Sequence, residues 1–195
     1  MENQSSDTQV SKDTIGAEKA IIKLLEVIGE DPSREGLRDT PKRVLKSFKE
    51  LFGGYGQNPK DVLGTTFESS GYDQIVVLKD IEMYSTCEHH MIPFVGKVSV
   101  GYVPRNRVVG LSKLARLVEI FARRLQIQEK LTEQIADAIH QELDAKGAIV
   151  VVEAKHFCMC ARGVGKQHSS MVTSAIRGVF KDAPARQEFF SLISK

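Results

Sequence analysis

Between Gln74 and Phe180 the hydrophobic period of the chain switches from that of a strand to that of a helix and back, and this alternation limits the fold more than any other feature. Residues that recur at every second position line one side of a sheet, whereas those recurring at three and four positions line one face of a helix. The stretch from Gln74 to Ser85, with "IVV" and "IEMYS", reads as one strand. Pro93 to Val103 reads as its neighbour, because Val98, Val100 and Tyr102 alternate with Lys97, Ser99 and Gly101. Next, "LSKLARLVEIFARRL" puts Leu114, Leu117, Val118, Phe121 and Leu125 on a helical stripe behind Ser112 as N-cap. "EKLTEQIADAIHQELDAKG" repeats the pattern with Leu131, Ile135, Ala138, Ile139 and Leu143, stopped by Gly147. The runs "AIVVVEAKHFC" and "MVTSAIRGVF" return to strands across the turn-rich "ARGVGKQHSS". Upstream, Ile15, Ile21, Ile22, Leu25 and Ile28 mark a helix ending at Gly29. A second helix follows, with Thr40 as N-cap, Pro41 at its first position and Val44, Leu45, Phe48, Leu51 and Phe52 on one side. "APARQEFFSLIS" fits either a terminal helix or a tail. The order defines an α+β chain with an antiparallel sheet carrying helices on one side.

Composition narrows what such a chain can do. Its 195 residues, 42% hydrophobic, are enough for a real core. With 27 basic against 25 acidic residues the net charge is +2, so no field over the whole protein attracts nucleic acid or an anionic membrane, and neither is an expected partner. Apolar runs such as "AIVVV" fall far short of the roughly 20 residues a membrane span needs. The opening "MENQSSDTQVSKDT" lacks the basic and apolar parts of a secretory signal. The expected organisation is a flexible tail over 1–13, a helical part over 14–58 and a sheet-bearing domain over 59–195, in a cytoplasmic protein.

The stretch "TCEHHMIPF" collects a thiol, a carboxylate and two imidazoles between the first two sheet strands. Thiolate and neutral imidazole are preferred zinc ligands, and Cys87 with His90 three positions on has the spacing of half a zinc site. The other half is available in "KHFCMC", where His156 and Cys158, at alternate positions of a strand, share a face. Three cysteines, an odd number, make no disulfide framework, although a single Cys87–Cys158 disulfide is the alternative to metal ligation. The residues permit two kinds of metal site. A structural site would close with Cys160 or a spare histidine as fourth ligand, whereas a catalytic site would keep three ligands and an open position. Zinc fits these ligands best, with Fe(II) or Mn(II) as alternatives. Ser112, Lys113 and Arg116 cluster at a helix start, which suits either an anion such as phosphate or a plain solvated basic turn. Arg162, four residues beyond Cys158, offers a bidentate donor beside the metal. His140 and His168 lack such company and read as surface or hydrogen-bonded histidines.

Taken together, "STCEHHMIPF", "GLSKLARLVEIFARRLQIQEKLTEQI", "HFCMCARGV" and "TSAIRGVF" resemble GTP cyclohydrolase I, from about "TPKRV" to the end of the last strand. The resemblance implies a tunnelling fold, with two helices on one face of the antiparallel sheet and N-terminal helices before it. It implies a homo-oligomer, a decamer of two stacked pentameric rings with active sites at subunit borders. By the same resemblance Cys87, His90 and Cys158 hold zinc and leave an open position, while His89 and His156 are catalytic. The implied substrate is GTP, converted to 7,8-dihydroneopterin triphosphate and formate. Its guanine edge falls to Glu129, with Gln128 beside it, and its triphosphate to Ser112, Lys113, Arg116 and Arg162, with Arg43 added from a neighbouring subunit. Two other readings of the sequence are a nicotinamide-dependent nitrile reductase of the same fold, which the intact "CEHH" and "HFC" pair argues against, and a zinc-stapled binding module.

Overall fold

The computed structural model describes residues 4–194, with side chains from residue 14 onward, and the chain divides into two compact units, Met1–Leu51 and Phe52–Lys195. The first unit contains helices α1 (Gln4–Val27) and α2 (Thr40–Leu51). The tail expected over 1–13 falls on residues 1–3, which lie outside the described residues, and on 4–13, whose backbone belongs to α1. Helix α1 closes at Gly29 as its sequence implies: φ is +89°, Gly29 N donates to Glu26 O at 3.0 Å and Glu30 N to Leu25 O at 3.0 Å. That pair of bonds satisfies carbonyls left open by the last turn, and the positive φ favours glycine. Thr40, expected as the cap of α2, is its first residue, and the carbonyl of Asp39 accepts from Arg43 N at 3.0 Å.

The second unit runs α3 (Pro59–Leu63), β1 (Thr66–Glu68), β2 (Val76–Cys87), β3 (Pro93–Val103), β4 (Arg107–Val109) and α4 (Leu111–Ala122). It continues with β5 (Leu125–Gln126), α5 (Gln128–Glu142), β6 (Gly147–His156), α6 (Phe157–Cys160), β7 (Met171–Gly178) and α7 (Ala183–Ile193). Five strands form one sheet in the order β5-β2-β3-β6-β7, antiparallel except for the short parallel pairing of β5 with β2. Strands β1 and β4 pair separately. Val98, Val100 and Tyr102 of β3 and Ala148, Val150 and Val152 of β6 are buried with Leu114, Leu117 and Val118 of α4 and Leu131, Ile135 and Ile139 of α5. Each such aliphatic side chain contributes about 1.5–3 kcal/mol on leaving water, so this face is what holds α4 and α5 in place. The other face is covered in part by α7: Val103 and Ile149 cluster with Phe180 and Phe189, and a Cβ on Gly101 would lie 2.6 Å from Phe189 Cδ2. The α+β sheet with two helices on one face is therefore present, and the C-terminal segment is a helix. No described helix is long and apolar enough to cross a membrane.

Four local expectations are corrected. Leu125 leaves the stripe of α4 and pairs with Thr86 in β5. Gly110, with extended φ −62° and ψ 135°, caps α4 in place of Ser112, and its carbonyl accepts from Lys113 N at 2.9 Å. Helix α5 ends at Glu142, so Gly147 opens β6 and does not stop the helix. Strand β6 ends at His156, and Cys158 lies in the helical turn α6, so strand alternation does not relate the two side chains.

Chain direction then fixes two ends of the sheet. Strands β2 and β3 join at Cys87 and Pro93, while β3 ends at the opposite edge, where Val109 N donates to Tyr102 Oη at 3.0 Å. Helix α4 starts there and runs back, since Gln126 Nε2 donates to Phe121 O at 3.0 Å and Gln126 pairs with Cys87. Its 12 residues separate the two ends by about 18 Å at 1.5 Å per residue.

Candidate active site

The turn from β2 to β3 is held by its own backbone. Cys87 N donates to Ile92 O at 2.9 Å, Met91 N to Cys87 O at 2.8 Å, and Glu88 N to Gln126 O at 2.9 Å. Met91 takes φ +53°, a left-handed conformation that folds the chain back within four residues. The turn leaves Cys87 buried and His89 and His90 exposed. Glu88 also meets Lys130 of α5 at 3.7 Å, which ties the turn to the helix start that carries Gln128 and Glu129.

Cys87 Sγ lies 3.7 Å from His90 Nδ1, and the donor atoms of Cys87, His90 and Cys158 all lie within 4.8 Å of one another. Ligand atoms 2.0–2.3 Å from a tetrahedral ion stand roughly 3.3–3.8 Å apart, so the Cys87–His90 spacing already fits zinc. The electrostatics agree. Burial pushes the Cys158 thiol above its ordinary value, the neighbouring Cys87 pushes it further, and Arg162 pulls it back. Two thiols that oppose each other's ionisation without a cation become compatible thiolates around a divalent one. None of the three cysteines forms a disulfide, which removes the Cys87–Cys158 bridge as a feature of this structure.

His156, at the end of β6, sits opposite Phe94 in the β3–β6 register, and the rings stack at 4.6 Å with 4° between planes. Its Nε2 lies 2.8 Å from Oε1 of Gln128, the first residue of α5. Burial pushes its pKa below the ordinary histidine value, with the Glu129 carboxylate opposing. A cavity of about 250 Å³ opens here, lined by Ala154, His156, Met159, Ser169, Ser170 and Met171. His89 stays outside the three-donor cluster, its ring centroid 6.1 Å from that of His90.

The chain thus brings Cys87, His89, His90, Gln128, Glu129, His156, Cys158 and Arg162 to one end of the sheet. Ser112, Lys113 and Arg116 occupy the first two turns of α4, at the other end. Arg43 belongs to α2 of the first unit, where it meets Asp39 at 3.5 Å. The side chain of Gln128 is buried and hydrogen-bonded within the protein. Sequence reasoning missed Phe94 and Thr173 as neighbours of this site, because only the strand pairing reveals them.

A sheet end that gathers two thiols, three imidazoles and a carboxylate beside a cavity defines an enzyme of α+β fold with the donors for a metal. Comparison with known proteins gives the family. The GTP cyclohydrolase I family model matches residues 17–194. A Wolinella succinogenes protein named GTP cyclohydrolase 1 is 61% identical over 180 residues, covering 92% of this chain and 96% of that one. A Brucella abortus (strain S19) protein of the same name is 53% identical over 195 residues, covering 98% and 92%. The chain belongs to the GTP cyclohydrolase I family.

Proposed function

We propose that this protein converts GTP and water to 7,8-dihydroneopterin triphosphate and formate, the first step of folate and pterin biosynthesis, with zinc held by Cys87, His90 and Cys158. The observation that carries the reading is the meeting of those three donors within 4.8 Å beside two further imidazoles and a carboxylate. A zinc ion there would supply the Lewis acidity that hydration of an aromatic carbon needs at neutral pH. The protein groups do the rest. Addition of water at guanine C8 requires a proton on N7, and His89 or His156 supplies it, since an imidazole gains and loses protons near neutrality. A second hydration expels C8 as formate, and loss of one water on ring closure leaves a net consumption of one. Each of these steps moves a proton, which gives both histidines work.

Glu129 accepts from N1–H and the exocyclic amine of guanine, a pair of donors that a carboxylate matches. Arg162 takes part of the triphosphate at the same end of the sheet. The remaining candidate phosphate-binding residues, Ser112, Lys113 and Arg116, lie in the first two turns of α4, roughly 9–15 Å along the helix from the end nearest the three donors. That separation supports a homo-oligomer in which one subunit brings the start of α4 to the metal end of the next, in keeping with the implied decamer. Arg43 joins the triphosphate from a neighbouring subunit in this reading.

Incubation of the metal-quantified protein with GTP, with formate and the fluorescent oxidised pterin measured together, tests the proposal. Equimolar formate and pterin are expected, abolished by a strong chelator and restored by Zn²⁺. Tight metal binding with GTP left intact would overturn it in favour of a zinc-stapled module.

A further inference from the structure

Gln128 is 1% exposed, yet its side chain has no freedom to serve a ligand. Its Nε2 lies 3.0 Å from Val152 O, 3.0 Å from Met171 O and 3.1 Å from Thr173 Oγ1. Two of these are backbone carbonyls, which only accept, so the nitrogen end of the amide must point at them. A flipped amide would set its oxygen against two carbonyl oxygens in a buried site and leave all three unpaired. The threonines agree with this orientation. Thr173 Oγ1 accepts from Gln128 and stands 2.6 Å from Thr132 Oγ1, whose own proton goes to Gln128 O at 2.7 Å. Thr173 therefore donates to Thr132, and the two amide hydrogens of Gln128 are shared among three acceptors.

The consequence falls on His156. With Gln128 Nε2 committed, it is the lone-pair oxygen Oε1 that faces His156 Nε2 at 2.8 Å. Two lone pairs cannot bond, so Nε2 carries hydrogen whether the ring is neutral or charged. Phe94 stacks on the ring and fixes its plane, while Gln128 fixes its rotation within that plane. Among the described residues Nδ1 has no hydrogen-bond partner, and it is not one of the buried polar atoms left without one. We propose that Gln128 is a positioning residue that pins His156 with hydrogen on Nε2, so that Nδ1 is the nitrogen exchanging protons with substrate. This rests on the reading of His156 as a proton-transfer group.

The test is nitrogen NMR on the intact chain labelled at its five histidines, with His156 assigned through a His156→Gln variant. In the resting protein Nδ1 of neutral His156 should be the bare nitrogen. Gln128→Met should give a mixture of tautomers and lower kcat by about tenfold to a hundredfold, with KM for GTP within about threefold and metal content unchanged. Hydrogen on Nδ1 of His156 in the wild-type protein would overturn the inference. So would a Gln128→Met variant that raises KM alone, since the amide would then be a substrate contact. If that variant fails to fold, the wild-type tautomer decides. The resting tautomer is read without substrate, so failure to turn over GTP would sink the proposed reaction and leave this measurement standing on its own.

Discussion

The two ends of the sheet differ in how their polar residues are held. At the three-donor end a connected set of groups is held by internal partners: Glu88 binds Lys130 and the Gln126 carbonyl, His156 binds Gln128, and Gln128 is surrounded by Val152, Met171 and Thr173. At the other end Ser112 and Arg116 are exposed, and neither Lys113 nor Arg116 forms an ion pair among the described residues. A site that must place reacting atoms is built rigid, whereas a group of cations with no anion of its own is suited to one brought from outside. In the proposed reading, the reacting groups and Arg162 come from one chain, while Ser112, Lys113 and Arg116 serve a nucleotide bound at the three-donor end of another.

The strongest way to break this contrast is to empty the metal end. Cys158→Ser or His90→Ala should lose bound metal and bring formate release to background, with the helical circular dichroism kept. Wholesale unfolding would instead make the metal a staple. His89→Ala comes next: metal retained, nucleotide still bound, and formate release down by roughly a hundredfold, the scale of a lost general acid. If metal disappears from that variant, the roles of His89 and His90 are exchanged. Glu129→Gln turns one acceptor oxygen into a donor facing another donor, at a cost of about 1–3 kcal/mol in GTP binding. Competition of GTP with ITP, which lacks the exocyclic amine, should show the wild-type preference for GTP shrinking. The smallest effect is the most specific to the comparison. Cys158→Ser and Lys113→Ala, each inactive alone, should on unfolding and co-refolding as a mixture recover about a quarter of wild-type activity, because one random border in four joins two intact ends. No recovery would place both ends of a site in one chain.

The metal end was legible because its donors come in short local motifs. "CEHH" puts Cys87 and His90 in one turn, and "HFC" brings Cys158 close behind His156. The alternation expected of the second pair fails in detail, because the strand ends at His156 and the backbone enters a helical turn at Phe157. A short run of apolar and sulfur side chains has no period with which to separate the two. Leu125 misled in the same way, since its spacing continues the stripe of α4 although the helix ends at Ala122. Helix α3 has a signature readable in the sequence: Asn58 accepts from Lys60 N at 3.1 Å and Pro59 takes the first helical position. The ring of Gln128, Thr132 and Thr173 lay beyond reach, because Thr173 is 45 residues from Gln128 and meets it only through the order of strands.

The pairing of β3 with β6 also has a bearing on folding. Phe94 pairs with His156 and Val103 with Gly147, across the whole of α4 and α5. Hairpin β2–β3, with Cys87 and His90 at its turn, closes a short loop, whereas β3–β6 must first pay out the entropy of a long one. Cys87 and Cys158 therefore belong to pieces of chain that meet late, and a refolding protein is expected to gain its native Cys87–Cys158 proximity after its hairpins. The two thiols are a built-in clock for that event: a brief pulse of a bifunctional thiol reagent should cross-link them only once the slow sheet-closing phase has passed.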